Sequence, residues 1–468
     1  MLSLSSNGSS LRAWAAKHSA TQAKMGVLIK PPLFQPSGNE GYLAMFWTTR
    51  LWQRRWSAWL YPWRGMDWLL LIAVWLITLL GAVAIHSAEL HIGEKDGFQH
   101  LAIAGLGTIL LFLLARVPTS VLISVHWWVY GISCFLLLAV SLFGVEANGA
   151  QSWLPIAGFN LQPSEFAKIS IILTQAALLQ RVPAHGLSGI LRVFAATALP
   201  LGLILSEPDL GTSLVFAAIT LGMLYWANAR LGWIVLMLSP LVAAILFALP
   251  LPYELNLVLW FLWTLGMGVV AWQSLPLGWI GAIGGIVLNL SGAGLGQLLW
   301  SVLKDYQKDR LLMFLDPDKD PLGAGYHLIQ SRIAIGAGGL WGRGLFHGTQ
   351  TQLGFIPEQH TDFIFSAIGE ELGFWGGLLV LGLFWLIGLR LLQIANSARD
   401  DFGSLLAIGL FAMLMFQAVV NIGMTINLFP VTGIPLPFLS YGRSALLATY
   451  IGLGLVQAVA NHRPRSRY

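Results

Sequence analysis

The sequence predicts an all-α polytopic membrane protein with about 12 transmembrane helices, and three observations lead to that prediction. Apolar residues make up 56% of the 468 residues, charged residues make up only 10%, and apolar stretches recur along the chain. A soluble domain usually carries about 25% charged residues, so a chain this poor in charge needs lipid as its solvent. Several of these stretches reach the roughly 20 residues that cross a bilayer as a helix, and others are shorter or are interrupted by glycine and proline. The stretches lie at 67–86, 98–115, 119–143, 165–180, 189–206, 210–227, 231–250, 254–273, 275–303, 362–389, 402–427 and 436–460.

The composition also excludes several classes of function. The net charge of +5 lies mostly in the N-terminal 65 residues and the C-terminal tail. There it indicates membrane topology, so we expect membrane lipids and no nucleic acid as partners. Cys134 is the only cysteine, which rules out a disulfide framework and a cysteine-based metal site. The first 40 residues lack the apolar core that a cleavable signal peptide needs.

Two polar tails flank the predicted transmembrane domain, which covers residues 66–461. Residues 1–65 are expected to form a cytoplasmic tail that ends in an interfacial segment, because tryptophan and arginine suit the headgroup layer. Residues 462–468 form the second cytoplasmic tail. The interfacial segment contains Trp47, Arg50, Trp52, Arg54, Arg55, Trp56, Trp63 and Arg64.

The charges in the short loops predict the orientation in the membrane. With the N-terminus inside, arginines fall in the inner loops and carboxylates in the outer loops, as the positive-inside rule requires. Both termini are therefore expected in the cytoplasm, with the chain in the cytoplasmic (inner) membrane. The inner loops and the tail hold Arg116, Arg181, Arg192, Arg230, Arg390, Arg399, Arg463, Arg465 and Arg467, and the outer loops hold Glu89, Glu94, Asp96, Glu146, Glu207, Asp209 and Glu254 against Lys95.

One large extracytoplasmic loop, at about 304–361, is the most unusual part of the sequence. Its dense glycines and prolines break regular helix and set turns, and carboxylates, histidines and cations lie among them. Such a loop can be a solvated connector, but loops this long are usually functional or disordered, and its apolar content favours order. An anionic substrate would explain why an outer loop is basic; the cations are Lys304, Lys308, Arg310, Lys319, Arg332 and Arg343.

Asp320 is the candidate catalytic residue of this loop. It precedes Pro321 and a Gly-x-Gly turn at Gly323 and Gly325. An aspartate in this position is often only a turn initiator. The functional alternative is a carboxylate that is held on a rigid turn at the membrane face and acts as a general base.

Ionisable residues also enter the predicted spans. Ser164 is a candidate N-cap of a helix with Glu165 in its first turn, and Lys168 follows one turn later on the face of Ser164. Capping explains the first two residues, but a lysine inside a span costs at least a few kcal/mol and usually faces an interior cavity. We therefore expect Lys168 to face a polar outward cavity and not lipid.

Three further features are ambiguous from the sequence. Asp209 with Thr212 fits a helix cap, although Glu207 and Asp209 also place two carboxylates at an outer junction. Glu370 or Glu371 can pair with Arg443 as a structural ion pair. The tract 430–437 contains three prolines, so it must be irregular.

These observations are compatible with two classes of function. One is an enzyme that acts on a lipid-linked anionic substrate at the outer face, and the other is a transporter with buried charges along its path. The long charged external loop favours the enzyme, because a transporter typically concentrates its site near the midplane of the membrane.

Taken together, the motifs resemble the SEDS family (shape, elongation, division and sporulation proteins), its RodA branch more than its FtsW branch. The resemblance covers about residues 66–461, less one insertion, and many separate motifs recur in order. The matching tracts are Asn148-Gly149-Ala150 with Trp153, Gln162-Pro163-Ser164-Glu165 with Lys168, Pro208 to Thr212, Asp305 to Gly373 including Asp320 to His327, Gln330-Ser331, His347 to Gln350 and Pro357 to Phe365, then Asn421 to Met424, and Pro435 to Pro437 before Ser440-Tyr441-Gly442.

This resemblance implies a peptidoglycan glycosyltransferase that polymerises lipid II into glycan strands at the outer membrane face, for cell elongation and shape, beside a class B penicillin-binding protein.

Asp320 matches the family's essential loop aspartate, which is proposed to deprotonate the acceptor hydroxyl so that undecaprenyl diphosphate leaves with inversion. Lys168 matches a family lysine and would neutralise the diphosphate, with Arg310, Arg332 or a divalent cation such as Mg²⁺ as further candidates. The other substrate-binding candidates are Glu165, His327, Gln330, His360 and Arg443. Lipid II translocation is the alternative function.

The sequence departs from the family pattern in three places. Ser152 and Asn160 stand where many members carry basic residues, and Arg443 stands where the family has glycine, so we predict that Arg443 supplies the replacement cation. About 50 extra residues around 250–300 add two helices to a ten-helix core. An even number of added spans leaves the catalytic loop outside.

Overall fold

A computed structural model gives the fold of the chain outside residues 1–62 and several loops. The described residues are 63–90, 96–147, 150–156, 159–207, 209–248, 252–275, 278–302, 308, 314, 320, 325–356 and 359–463. The predicted N-terminal interfacial segment, apart from Trp63 and Arg64, and the end of the C-terminal tail lie outside them.

Helices dominate the described part of the chain. In chain order they are α1 (Trp68–Glu89), α2 (Asp96–Leu114), α3 (Thr119–Phe143), α4 (Pro163–Arg181), α5 (Leu187–Ser206), α6 (Leu210–Trp226), α7 (Leu231–Ala248), α8 (Tyr253–Ser274), α9 (Trp279–Val302), α10 (Tyr326–Gly338), α11 (Thr349–Gln352), α12 (Ile364–Asn396), α13 (Asp401–Thr425) and α14 (Arg443–Asn461).

The protein is a polytopic membrane protein, as the composition predicts. Each of the predicted apolar stretches coincides with one of the helices α1–α9 and α12–α14. Within the described residues, eight helices are long and apolar enough to cross a membrane, and α6, α7 and part of α9 are shorter apolar helices. Helix α4 carries Glu165, Lys168 and Arg181 over 19 residues.

A small antiparallel sheet, which the sequence analysis did not predict, connects α3 to α4. Its strands are β1 (Val145–Ala147), β2 (Ala150–Ile156) and β3 (Phe159–Leu161), in the order β1-β2-β3. Trp153 pairs with Val145 and Leu154 pairs with Leu161. These strands are too short to give a clear alternating pattern in the sequence, and they add a small sheet to a fold that is otherwise helical in its described part.

Three of the helices begin with an aspartate cap. The Asp209 carboxylate accepts a hydrogen bond from the Thr212 backbone N–H at 2.9 Å, which confirms the predicted cap of α6. Asp67 and Asp400 cap α1 and α13 in the same way. Ser164 is not a cap, because α4 begins one residue earlier with Pro163, whose missing N–H suits the first position of a helix.

One end of the bundle is held together by Asp67. Its buried carboxylate accepts hydrogen bonds from the Arg390 guanidinium, the shortest at 2.6 Å, while its backbone exchanges two hydrogen bonds with the Gln457 amide. Asp67 thereby links α1, α12 and α14. We call this end the opposite end, and the end with the sheet, α10 and α11 the loop end.

Helices α7, α8 and α9 form a small cluster with its own apolar centre of Leu236, Met267 and Ala271. Inside the cluster the Asn289 amide donates to the Ser239 hydroxyl at 2.9 Å. Helices α8 and α9 occupy the stretch where two additional spans are predicted. The other spans share one large core.

Candidate functional site

The predicted catalytic loop is more regular than its glycine and proline content suggests. Helix α10 and the short helix α11 form within it, and α12 follows. Gly325 and Gly339 are the cap residues of α10, so its thirteen helical residues lie between two glycines.

Asp320 lies exposed on a bend that comes just before α10. Its carbonyl oxygen accepts a hydrogen bond from the Gly325 backbone N–H at 3.1 Å. Because Gly325 is the N-cap residue of α10, the backbone of Asp320 is tied to the start of a rigid helix. The backbone of Asp320 is therefore held near the start of α10, and its side chain is exposed.

Helix α10 is fastened to two spans through a buried pair of serines. The Ser331 hydroxyl donates to the Thr425 carbonyl at 2.7 Å and lies 2.7 Å from the Ser366 hydroxyl. Since Ser331 has a single proton, Ser366 must be the donor in the second bond. At the end of α10, a Cβ on Gly338 would collide with the Gly369 carbonyl, so a glycine is needed for this close approach.

Glu370 holds the second half of the loop. Its fully buried carboxylate accepts hydrogen bonds from the backbone N–H groups of Gln350 and Thr351 and from the hydroxyls of Thr349 and Thr351, at 2.7 to 3.2 Å. The Arg343 guanidinium donates to the Thr349 hydroxyl at 2.6 Å. Charge-assisted hydrogen bonds of this kind are stronger than neutral ones.

The neighbouring glutamate has different partners. Glu371 accepts a short hydrogen bond from the Ser87 hydroxyl of α1. The structural ion pair that we considered between Glu370 or Glu371 and Arg443 is therefore not formed, because loop and α1 donors occupy both carboxylates.

We expect Glu370→Gln to loosen the loop. Each carboxylate oxygen accepts two hydrogen bonds. In glutamine one of these oxygens becomes an NH2 group, which cannot accept the two hydrogen bonds. We expect the substitution to lower the stability of the loop by about 1–3 kcal/mol. Exposed Arg343 is a tryptic site that reports this loosening. Cleavage there should accelerate in Glu370→Gln and stay unchanged in Glu254→Gln, an exposed glutamate on α8. Equal rates in wild type and Glu370→Gln would contradict the anchoring role.

Lys168 and Glu165 form a buried ion pair on α4. The ammonium lies 2.8 Å from the carboxylate, and the two residues are only 1% and 4% exposed. Lys168 therefore lies inside the bundle with the carboxylate as its partner, while the polar outward cavity that we expect beside it stays a prediction. The Ser164 hydroxyl beside them is also buried.

Arg443 is the first residue of α14 and lies next to the sheet and the start of α4. The adjacent Ser444 hydroxyl accepts a hydrogen bond from the Gln162 backbone N–H at 3.0 Å and donates to the Asn160 carbonyl at 3.4 Å. Asn160, where the resemblance leads us to expect a cation, is thus adjacent to the helix turn that carries Arg443.

His360 and Tyr441 connect the loop to the segment before α14. The Tyr441 backbone N–H donates to the His360 carbonyl at 2.9 Å, and their rings lie 5.9 Å apart. Burial raises the pKa of the Tyr441 phenol, Asp96 raises it further, and the Arg443 guanidinium opposes both. The phenol therefore stays protonated, and its hydroxyl lies 3.1 Å from the Gln99 amide oxygen, to which it donates.

The two carboxylates at the α5–α6 junction differ in their environment. Asp209 caps α6, whereas Glu207 is only 2% exposed. Burial raises the pKa of Glu207 to about 8, and the charge of Asp209 contributes to this rise. Glu207 is therefore largely neutral at pH 7 and does not add a second negative charge at this end.

The remaining predicted site residues are distributed along the loop. His327 is half-buried with its ring stacked on Phe363, centroids 6.0 Å apart. Gln330 is half-buried and Arg332 is exposed on α10. Arg310 lies outside the described residues. Within the described ranges, the structure shows no group of three or more His, Cys, Asp or Glu side chains that could hold a metal ion.

Several residues that organise this end are not recognisable as functional from the sequence alone. Ser331 and Asn421 appeared only as members of motifs, and Ser87, Ser366 and Tyr441 were given no function. A polar residue inside an apolar span is the signal that could have identified Asn421 and Ser366.

The sequence is similar to known proteins over most of its length. The sequence model of the FtsW, RodA and SpoVE family, described as cell cycle proteins, matches residues 67–264 and 256–465. The chain is 36% identical to the peptidoglycan glycosyltransferase MrdB of Escherichia coli, over 85% of this chain and 94% of that protein. It is 37% identical to the peptidoglycan glycosyltransferase RodA of Treponema pallidum, over 84% and 97%.

Solved structures agree with this similarity. A chain from a peptidoglycan synthase complex that coordinates polymerization and crosslinking superimposes with a TM-score of 0.62 at 31% identity, over 86% of this chain and 99% of that chain. RodA of Thermus thermophilus superimposes with a TM-score of 0.55 at 28% identity, over 86% and 99%. The shared sequence and fold show that this chain belongs to the FtsW, RodA and SpoVE family.

Proposed function

We propose that this protein is a peptidoglycan glycosyltransferase that polymerises lipid II at the outer face of the cytoplasmic membrane, for cell elongation and shape. The observation that carries the proposal is its similarity, over more than four-fifths of the chain, to two peptidoglycan glycosyltransferases. The arrangement at the loop end supports it, since an exposed carboxylate and buried or half-buried cations occur at the same end of the bundle.

Asp320 acts as the general base in this proposal. Its exposed carboxylate, on a turn tied to α10, removes the proton of the acceptor sugar hydroxyl. The hydroxyl oxygen then forms a bond to the anomeric carbon of the growing chain, and the bond from that carbon to undecaprenyl diphosphate breaks. Because attack and departure occur on opposite faces, the configuration inverts.

Cations at the loop end balance the charge of the leaving diphosphate. Lys168 carries its charge inside the bundle next to Glu165, and Arg443 begins α14 beside the sheet. A diphosphate in partly dry surroundings needs positive charges and hydrogen-bond donors close to its oxygens.

A class B penicillin-binding protein is the proposed partner. The related chain from a peptidoglycan synthase complex belongs to an assembly that coordinates polymerization and crosslinking. A polymerase of this family makes the strands that such a transpeptidase crosslinks, so the two activities are expected in one complex in the inner membrane.

Translocation of lipid II is less well supported by the bundle interior. Gln175, in the second half of α4, donates hydrogen bonds of 2.8 Å to both Thr197 and Thr220. These bonds join α4 to α5 and α6, so this polar group acts as a link between helices and not as part of an open path.

Arg443 is expected to replace the missing family cations. Arg443→Gly should lower the rate of glycan polymerisation about 10- to 100-fold, because hydrogen bonds to developing charge are worth a few kcal/mol. If positions 152 and 443 serve the same diphosphate, adding Ser152→Arg should restore much of the loss. Full activity of Arg443→Gly, or no recovery in the double variant, would refute the compensation.

The proposed activity is tested with purified protein and fluorescent lipid II, alone and with the class B penicillin-binding protein of the same organism. A ladder of glycan strands on a gel is the expected product, and it should lengthen or accelerate with the partner. Absence of polymer under both conditions, from protein that is folded and monodisperse, would reject the glycosyltransferase function.

A further inference from the structure

Asn421 lies where three parts of the loop end meet. It is on α13, four residues before Thr425, whose carbonyl accepts the Ser331 hydroxyl of α10. Its side chain is completely buried. A buried amide group is costly where it has no hydrogen-bond partner. The nitrogen of this amide has two partners, whereas its oxygen has none within the described residues. The partners of the nitrogen therefore indicate what the residue does.

Both amide hydrogens of Asn421 are used, and they point to different segments. The nitrogen donates to the Asp362 carbonyl at 2.9 Å and to the Ile434 carbonyl at 2.8 Å. Asp362 closes the catalytic loop just before α12, and Ile434 belongs to the irregular tract 430–442, which we call the proline segment and which leads into Arg443.

The orientation of this amide follows from its partners. Both are carbonyl oxygens, which only accept hydrogen bonds, so the nitrogen and not the oxygen of the amide must face them. Among uncharged side chains of this size, an amide alone offers two donors from one atom. The isosteric aspartate would present oxygen to two carbonyl oxygens.

A second contact connects the same two segments. The Tyr441 backbone N–H donates to the His360 carbonyl at 2.9 Å, two residues before Asp362 on the loop and seven after Ile434 on the proline segment. The loop with Asp320 and the segment that positions Arg443 are thus joined by a buried amide and by one backbone bond.

We propose that Asn421 is a positioning residue that holds the catalytic loop in register with the proline segment, and so sets Asp320 relative to Arg443. This inference rests on the proposed glycosyltransferase function. It adds that alignment of the base with the leaving-group cation depends on one amide on α13. Misplacement on the order of 1 Å in such an arrangement can cost about 100-fold in rate.

The test compares Asn421→Asp with Asn461→Asp. Asn461 is a matched control, because its amide also bridges backbone groups, accepting from Gly65 and donating to Ala115, but it lies at the opposite end, near the start of α13. Asn421→Ser, which keeps one hydroxyl donor, is a milder variant in case aspartate prevents folding.

Two quantities are measured on detergent-purified protein: the kcat of glycan polymerisation per folded molecule, and hydrogen exchange of peptides covering 359–363 and 430–441. We expect Asn421→Asp to lower kcat about 10- to 100-fold and to speed exchange in both peptides. Asn421→Ser should be intermediate, and Asn461→Asp should change neither quantity.

Wild-type kcat in Asn421→Asp, or a loss of activity without faster exchange in these peptides, would overturn the proposal. Faster exchange throughout the bundle would also overturn it, since that marks general destabilisation. If the wild type makes no polymer, the proposed function fails, and the exchange of the two peptides still decides whether Asn421 couples them.

Discussion

Replacing Asp320 by asparagine is expected to abolish glycan polymerisation while leaving the membrane fold intact. The amide keeps the shape of the side chain and removes its basicity, and a positioned general base contributes about 10²- to 10⁴-fold in rate. Because the side chain is exposed on its bend, the substitution leaves no buried group unsatisfied. Polymer yield from labelled lipid II and the thermal unfolding midpoint in detergent are the two measurements.

Asp401→Asn is the matched control for this experiment. Asp401 is also an exposed aspartate, but it lies in the first turn of α13 at the opposite end of the bundle. The control should polymerise at the wild-type rate. Retained polymerisation in Asp320→Asn, with normal expression, would contradict the general-base role.

Lys168→Met is expected to have the second largest effect, on both stability and activity. The ammonium is the partner of the buried Glu165 carboxylate at 2.8 Å. Removing one member of a buried ion pair leaves an uncompensated charge and typically costs about 3–5 kcal/mol. Lower expression and a lower unfolding midpoint should therefore accompany the loss of polymerisation.

A double variant separates the two roles of Lys168. Lys168→Met with Glu165→Gln removes both charges, so most of the lost stability should return. Activity should stay low if the lysine neutralises the leaving diphosphate. If the double variant is stable and polymerises at the wild-type rate, Lys168 serves only to pair with Glu165 and has no part in the reaction.

The spans were predictable from the sequence because lipid imposes a simple rule. A helix that satisfies its own backbone and carries about 20 apolar residues crosses the bilayer, and every predicted stretch coincides with a helix. The cap at Asp209 was predictable for a similar reason, since a single side chain and its own helix decide it.

The contacts that build the loop end were less predictable, because they join residues distant in sequence. Ser331 reaches Thr425 and Asn421 reaches Asp362, and no local pattern encodes such pairs. Glu370 and Glu371 illustrate the difficulty: two adjacent glutamates in a span suggested a partner such as Arg443. The carboxylates instead bind the loop at Thr349–Thr351 and Ser87 of α1.

The most direct test of the proposed function follows polymer formation and transbilayer movement of lipid II in the same vesicles. Purified protein is reconstituted into sealed proteoliposomes with fluorescent lipid II, and glycan strands and the leaflet of the label are measured together, with Asp320→Asn in parallel. A peptidoglycan glycosyltransferase should form polymer in wild-type vesicles and none in Asp320→Asn vesicles. Movement of lipid II between leaflets without polymer, equal in both proteins, would contradict this account.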